Sequence, residues 1–435
     1  MASGTRARTP SPNGPRPSNP AARPKPPLEY SILFTATLCL LAFGAVMVYS
    51  ASSAESLLQG TGDPSYFLKR FLVYAGVGLV ALHLASRSGL DLARKATPAL
   101  LGLAFLLTVA VLIPGIGVRV NGASRWLGAG PLQFQPSEIL KLALVLYAAR
   151  VLASRPKRLL TLKGLVQPLL LVVGAAGALL MAQPDMGTAI VVTLSVGTMM
   201  VAAGARLRHL AVIGGTLTGL TLILAMAEPY RRERLTAFID PWQDPGGTGF
   251  QSVQAMIAIG SGGVFGVGLG ESVQKIFYLP EAHTDMILAI IGEEVGLVGI
   301  LGVAALYGLI AYAGLRAARM ARDRHAKLVA AGVTSLILCQ AVLNLFAVMG
   351  LAPLTGVPLP FISFGNSNMI VLLGAMGVLL NVAATGGVRS RTAAAPARPR
   401  AVPDGTRRRD AGADRGGRDG GARRSGAGHR RRAAG

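Results

Sequence analysis

Between residues 31 and 384 one pattern recurs about ten times: an apolar stretch long enough, or nearly so, to cross the hydrocarbon core of a bilayer, followed by a polar connection. The stretches lie at about 31–51, 68–86, 98–116, 137–154, 165–183, 187–204, 209–227, 285–315, 327–350 and 364–384. Only 14% of the residues are charged, against about a quarter in an average soluble domain, so a dissolved globular enzyme is excluded. The pattern predicts an all-α integral membrane protein of about ten transmembrane helices. The fourth stretch carries Glu138 and Lys141 in its first turn and Arg150 near its end, so both a crossing and a re-entrant segment fit it.

Basic residues accumulate in short cytoplasmic connections. With ten crossings, one side receives both tails and the connections that hold Arg87, Arg94 and Lys95, then Arg155 to Lys163, Arg206 and Arg208, and Arg316 to Lys327. The opposite side receives Lys69, Arg70, Arg119, Arg125, Arg231, Arg232, Arg234 and Lys275, a small share of the 43 Lys+Arg. Both termini are therefore expected in the cytoplasm, and the domain plan is a basic Pro-rich tail at 1–28, a membrane domain at 29–386 and an Arg/Gly/Ala-rich tail at 387–435. Neither tail has the apolar side chains to offset its ordering entropy, so disorder is expected of both. Their arginine clusters at 407–409 and 430–432 suit anionic lipid or an acidic protein partner better than nucleic acid. The first apolar stretch shows no small-residue cleavage site and should stay as an anchor.

The outer side holds the longest connection, 228–284, too apolar and Gly-rich for a solvated linker. Val253, Met256, Ile257, Ile259, Val264, Phe265 and Val267 suggest short helices lying against the bundle, and Gly260 to Gly270 suggests close backbone packing or a flexible gate rather than a nucleotide loop. Trp126 and Trp242 suit the headgroup level. Cys39, Cys339 and the five histidines form no disulfide framework and no metal-ligand spacing.

Ionisable groups at the mouth of a membrane bundle are candidates for function, and here they gather outside: Arg125, Glu138, Lys141, Asp185, Arg231, Lys275, Glu281 and Asp285 among them. Asp285 stands where the long loop meets the eighth stretch. Two roles fit it: an acid in the first turn of a helix capped by Thr284, or a general base at the membrane surface. Glu293 and Glu294, deeper in the same stretch, must face protein or water, and either back the site or pair with a base elsewhere. Chemistry on the outer face has no ATP, so a bond-forming substrate must bring its own leaving group. A sugar on a lipid pyrophosphate is such a substrate, with a base for the attacking hydroxyl and cations for the departing pyrophosphate.

The ordered blocks Asn121-Gly122-Ala123-Ser124-Arg125-Trp126, Gln135-Pro136-Ser137-Glu138 with Lys141, Gln183-Pro184-Asp185-Met186-Gly187-Thr188 and Pro229-Tyr230-Arg231 carry a resemblance that spans about 30–385. Asp240-Pro241-Trp242, Gln274-Lys275, Tyr278-Leu279-Pro280-Glu281-Ala282-His283-Thr284-Asp285 and Pro358-Leu359-Pro360-Phe361-Ile362-Ser363 extend it. With these the chain resembles the SEDS family (shape, elongation, division and sporulation), its division branch more than its elongation branch. The resemblance implies polymerisation of lipid II by peptidoglycan glycosyltransfer on the outer face of the cytoplasmic membrane, with a class B penicillin-binding protein and other divisome proteins as partners. It implies that Asp285 is catalytic and that Lys141 and Arg231 bind pyrophosphate. Arg125 joins them, Glu138 and Asp185 orient the cations, and Lys275 and His283 enter as substrate-binding residues through their motifs. A divalent cation, Mg or Mn, would assist the leaving group, although no dedicated ligand cage is visible. Where the family reads Ile-Ser-Tyr-Gly-Gly-Ser-Ser, this chain has Phe364, Asn366 and Asn368 in place of the tyrosine, a glycine and a serine. A flippase for the same lipid, an elongation-type polymerase and a non-catalytic division scaffold are the alternatives. The flippase predicts polar groups continuing to the inner face.

Overall fold

The computed structural model describes residues 26–58, 62–120, 123–129, 132–154, 156, 161–227, 237–276 and 278–394. The chain is a multi-pass bundle of apolar helices, and each stretch marked by hydropathy falls for most of its length on helix. In order these are α1 (Leu28–Leu58), α2 (Tyr66–Ala110), α3 (Pro136–Ser154), α4 (Leu171–Ala182), α5 (Met186–Ala202), α6 (Leu207–Ala227), α7 (Phe250–Gly262), α8 (Ile287–Glu294), α9 (Gly296–Arg319), α10 (Arg324–Val348) and α11 (Asn366–Ala394). By length and composition α1, α2, α9, α10 and Asn366–Gly386 of α11 are able to cross a membrane on their own.

Two stretches differ from expectation in how they are divided. The second and third are joined: α2 runs for 45 residues, about 68 Å if straight and over twice the bilayer core. It turns at Gly89, whose φ of 76° lies in the region open to glycine, so the basic connection expected around Arg87 to Lys95 is itself helical. The eighth is broken: α8 ends at Glu294 and α9 starts at Gly296 (φ 74°). The backbone groups freed by that break are taken by the long loop. Val267 and Gly268 donate N–H to the Glu293 and Glu294 carbonyls at 2.9 and 3.1 Å, and Leu297 and Val298 donate to the Gly263 and Val264 carbonyls at 3.0 and 3.2 Å. A broken helix in a bundle survives where neighbouring protein supplies such partners.

Inside the long loop, α7 forms as the apolar pattern predicts and buries Val253, Ala255 and Ala258. Ile257, Val264, Phe265 and Val267, expected against the bundle, are instead exposed. The segment docks through its backbone: a side chain at Gly262 or Gly266 would collide with the main chain at Gly292 to Val295. Close packing rather than a solvated linker is what the glycines provide.

The connection between α2 and α3 is not helical, and so departs from an all-α plan. It forms three antiparallel strands, β1 (Gly117–Val120), β2 (Ala123–Ala129) and β3 (Leu132–Phe134), with Val118 opposite Trp126 and Leu127 opposite Phe134. Val120 pairs with Ala123, leaving the dipeptide Asn121-Gly122 between the strands, a strong two-residue hairpin sequence. At the carboxyl end α11 continues to Ala394, eight residues past the expected limit of the membrane domain. The remaining tail residues lie outside the described residues.

Helix pairing follows small residues, as in membrane bundles generally. Gly377 on α11 meets the backbone of Leu82 on α2, and Gly314 on α9 meets Thr334 on α10. Arg316 near the end of α9 holds Glu29 at the start of α1 at 2.7 Å, so the two helices run antiparallel.

Candidate functional site

The first turns of α3, α5 and α11 come together. Asp185 is the N-cap of α5, accepting from the Thr188 N–H at 3.2 Å. Its other carboxylate oxygen accepts from Ser137 at 3.3 Å and from the Gln135 amide at 3.5 Å, on the approach to α3. The Gln135 N–H in turn donates to Ser367 of α11 at 2.8 Å. β2 is fastened here as well: Arg125 donates to the carbonyls of Gln183 and Pro184, just ahead of Asp185, and the Gln183 side chain donates to the Thr108 carbonyl of α2 at 2.7 Å. Three helix starts converge at this end, and the positive ends of their dipoles favour negative charge.

Beneath them lies a buried ion pair. Lys141 Nζ stands 2.9 Å from Glu138 Oε1, one turn apart on α3, with both side chains almost fully enclosed. Lys141 also donates to Gln340 Oε1 of α10 at 3.1 Å. Gln340 passes the connection on, donating to the Pro358 carbonyl and to Asn368 Oδ1, each at 3.0 Å. Glu138 Oε2 is buried with no hydrogen-bond partner among the described residues.

One helical turn beyond Gln340, Asn344 presents the same face of α10 to Asp285. Its Nδ2 donates to the Asp285 carbonyl at 2.7 Å and to the Val357 carbonyl at 2.8 Å. Asp285 is partly buried in the turn before α8, and a space of about 10 Å³ adjoins it, lined also by Met286, Asn344, Leu354, Thr355 and Val357. That is about the size of one water, and Asn344 Oδ1 and Thr355 Oγ1 are buried without a partner among the described residues. Thr284 is not the cap of α8. The helix starts at Ile287 after Met286, and the Thr284 hydroxyl turns back to the Glu281 carboxylate at 2.9 Å. Asp285 therefore precedes the helix instead of sitting in its first turn. The extended turn from Glu281, whose φ is 57°, delays the helix.

The other candidates lie in separate clusters. Lys275 is buried against Glu294 at 2.9 Å and gives its remaining donors to Ser50 and the Gly270 carbonyl at 3.2 and 2.6 Å. Ser50 also donates to Glu294, at 2.6 Å. Glu293 accepts from Ser272 and from the Val273 N–H. The two glutamates thus hold the long loop to α8, Glu294 through a base on that loop and Glu293 through a hydroxyl and a backbone N–H. His283 is buried against the rings of Phe67 and Phe364, which also touch each other, with Nδ1 3.4 Å from Glu55. Arg70 lies over the Phe364 ring. Arg231, with Pro229 and Tyr230, lies outside the described residues. Among the described residues no three His, Cys, Asp or Glu side chains gather around one point.

Two of the three departures in the 362–368 segment now have surroundings: Phe364 completes a ring cluster and Asn368 accepts from Gln340. Gln340 and Asn344 escaped the sequence analysis. The signal was present, since two amides four residues apart inside an apolar span must find polar partners.

Apolar helices packed around a buried ionic cluster at one end of the bundle define a multi-pass membrane protein. Residues 30–386 match the FtsW/RodA/SpoVE family of cell cycle proteins, and the chain belongs to that family. It is 40% identical over 353 residues to stage V sporulation protein E of Bacillus subtilis, covering 81% of this chain and 96% of that one. It is 44% identical over 354 residues to a probable peptidoglycan glycosyltransferase FtsW of Thioalkalivibrio sulfidiphilus, covering 80% and 88%. Among solved structures, a chain from a peptidoglycan synthase complex that coordinates polymerization and crosslinking superimposes with a TM-score of 0.68 at 31% identity, over 81% of this chain and 97% of that one. The rod shape determining protein RodA of Thermus thermophilus does so with a TM-score of 0.59 at 29% identity, over 81% and 95%.

Proposed function

We propose that this chain is a peptidoglycan glycosyltransferase that polymerises lipid II into glycan strands on the outer face of the cytoplasmic membrane, in septal wall synthesis. It crosses the membrane ten times with both termini inside. The observation that carries this is the α10 bridge: Gln340 and Asn344, one turn apart, tie a buried lysine and an aspartate-bearing turn into one polar end.

The Asp285 carboxylate takes the proton of the acceptor sugar hydroxyl, whose oxygen attacks the anomeric carbon of the donor. The bond from that carbon to the pyrophosphate oxygen breaks, and the prenyl pyrophosphate leaves with the electron pair. Direct attack inverts the anomeric carbon. Lys141 and Arg231 neutralise the leaving charge, with Arg125 nearby and Glu138 and Asp185 holding the cationic end in place. A preorganised cation in a dry site stabilises such charge far more than one in water. Beneath Lys141, α3 buries only apolar side chains (Leu144, Val145, Leu146, Ala148, Ala149 and Leu152), which favours an enzyme over a flippase with a polar path to the other face.

The synthase complex above, which couples polymerization to crosslinking, supports a class B penicillin-binding protein as partner. The remaining divisome partners and the attachment of the basic tails to anionic lipid belong to the same proposal. The decisive experiment follows polymer formation from lipid II by the purified chain with its transpeptidase. Asp285→Asn keeps the shape and removes the base, and should cut the rate by about 10²–10⁴-fold. Wild-type polymerisation by that variant overturns the assignment.

A further inference from the structure

A cavity of about 600 Å³ opens between the second half of α2, α3 and α4, away from the polar end. Its walls are apolar, with Pro98, Leu101, Phe105, Leu171 and Val172 among them. Small residues line it on both sides, Gly102 on α2 and Ala175 on α4. Such small residues in a membrane bundle normally let backbones approach. Here a side-chain carbon added at Gly102 would meet nothing within 4 Å, so no described protein atom uses the room it leaves.

The cavity has one charged lining residue. Arg150, on α3 with its side chain exposed, lies twelve residues beyond Glu138, about 18 Å along the helix and towards the opposite end of the bundle. Its Nη1 reaches the Arg94 carbonyl at 3.5 Å, which brings the basic pair Arg94-Lys95 of α2 to the same rim. Asp91 and Asp323 belong to this neighbourhood too, since His325 feels both of them together with Arg94 and Arg150. None of the ion pairs among the described residues engages Arg94, Lys95 or Arg150. The Thr97 hydroxyl in the wall is already committed to the Ala93 carbonyl at 2.7 Å.

An apolar chamber with a cationic rim, at the end of the bundle that carries the basic connections, selects an amphiphile. A soluble anion has no use for the walls, and an uncharged chain has none for the rim. We infer that this cavity is a binding site for one anionic phospholipid, its acyl chain against Leu101, Phe105 and Leu171 and its phosphate on Arg150 with Arg94. Basic pockets between transmembrane helices on the cytoplasmic side take lipid headgroups in this way. The site is separate from the Asp285 end and stands whether or not that end polymerises glycan.

Native mass spectrometry of the purified full chain, titrated with phosphatidylglycerol or phosphatidylcholine, tests it. Wild type should retain one phosphatidylglycerol and discriminate against phosphatidylcholine. Arg150→Gln should weaken phosphatidylglycerol retention about tenfold by removing a charge-assisted contact. Gly102→Phe, which enters open space and so disturbs no packed neighbour, should weaken retention of both lipids to a similar extent. Equal retention of the two lipids by wild type, retention unchanged in both variants, or a prenyl phosphate held in preference to phosphatidylglycerol overturns the inference.

Discussion

Two lysine–glutamate pairs are buried in this bundle at the same 2.9 Å separation, Lys141–Glu138 and Lys275–Glu294, and they are finished differently. Lys275 spends all three donors on Glu294, Ser50 and a carbonyl, and Ser50 returns a hydrogen bond to the same carboxylate. Among the described residues Lys141 makes two contacts, to Glu138 and Gln340, and Glu138 keeps one oxygen without a partner. A buried pair with every valence filled is a fastening. One left partly unfilled can take a ligand without first breaking a bond. Charge and burial do not separate the two lysines; the count of satisfied donors does.

That distinction is open to direct attack. Lys275→Met leaves Glu294 buried beside a neutral side chain, and should cost about 3–5 kcal/mol of stability, read as a lower unfolding midpoint in detergent or lower yield. Lys141→Met should cost less stability than Lys275→Met while cutting polymer formation by about 10²–10³-fold, as removal of a transition-state cation does. If the two variants exchange these signatures, the comparison fails. Gln340→Leu removes the third member of the Lys141 cluster and the link to Asn368, and should lower the rate by about tenfold with a small change in the midpoint. The smallest effect belongs to an exposed pair. Lys69 at 2.7 Å and the Ser65 hydroxyl and N–H hold the Asp63 carboxyl down to about 2. Because its folded pKa lies below the ordinary 3.8, its contribution is present above that value and fades as pH falls through about 2. Asp63→Asn should therefore leave the unfolding midpoint almost unchanged at neutral pH and slightly flatten its acid dependence between those values.

Hydropathy located the helices because a bilayer imposes length and apolarity on each segment separately. It could not locate the breaks. Gly89 and Gly296 are two glycines among 55, and what makes them turning points is the geometry around them, supplied in one case by a loop distant in sequence. The strands at 117–134 were legible in Asn121-Gly122 flanked by Val118, Val120 and Trp126, a hairpin signal that hydropathy does not register. Within the candidate site, the carboxylates and cations announce themselves by being costly in an apolar chain. Gln340 and Asn344 carry no charge and passed as ordinary span residues, yet they make the cross-connections. Lys275 shows the reverse: its charge attracted notice, and its surroundings, invisible in sequence, give it a fastening role.

The break between α8 and α9 has a mechanical side. Four main-chain bonds join the segment around Val267 to both lips of that break, and the Lys275 and Ser272 contacts rivet the same loop to Glu294 and Glu293. Displacing the loop requires either tearing those attachments or dragging the tail of α8 along. Six residues upstream of Glu293 that short rod begins at Ile287, directly after the turn bearing Asp285, so force applied to the exposed surface of the loop has a lever arm reaching the carboxylate.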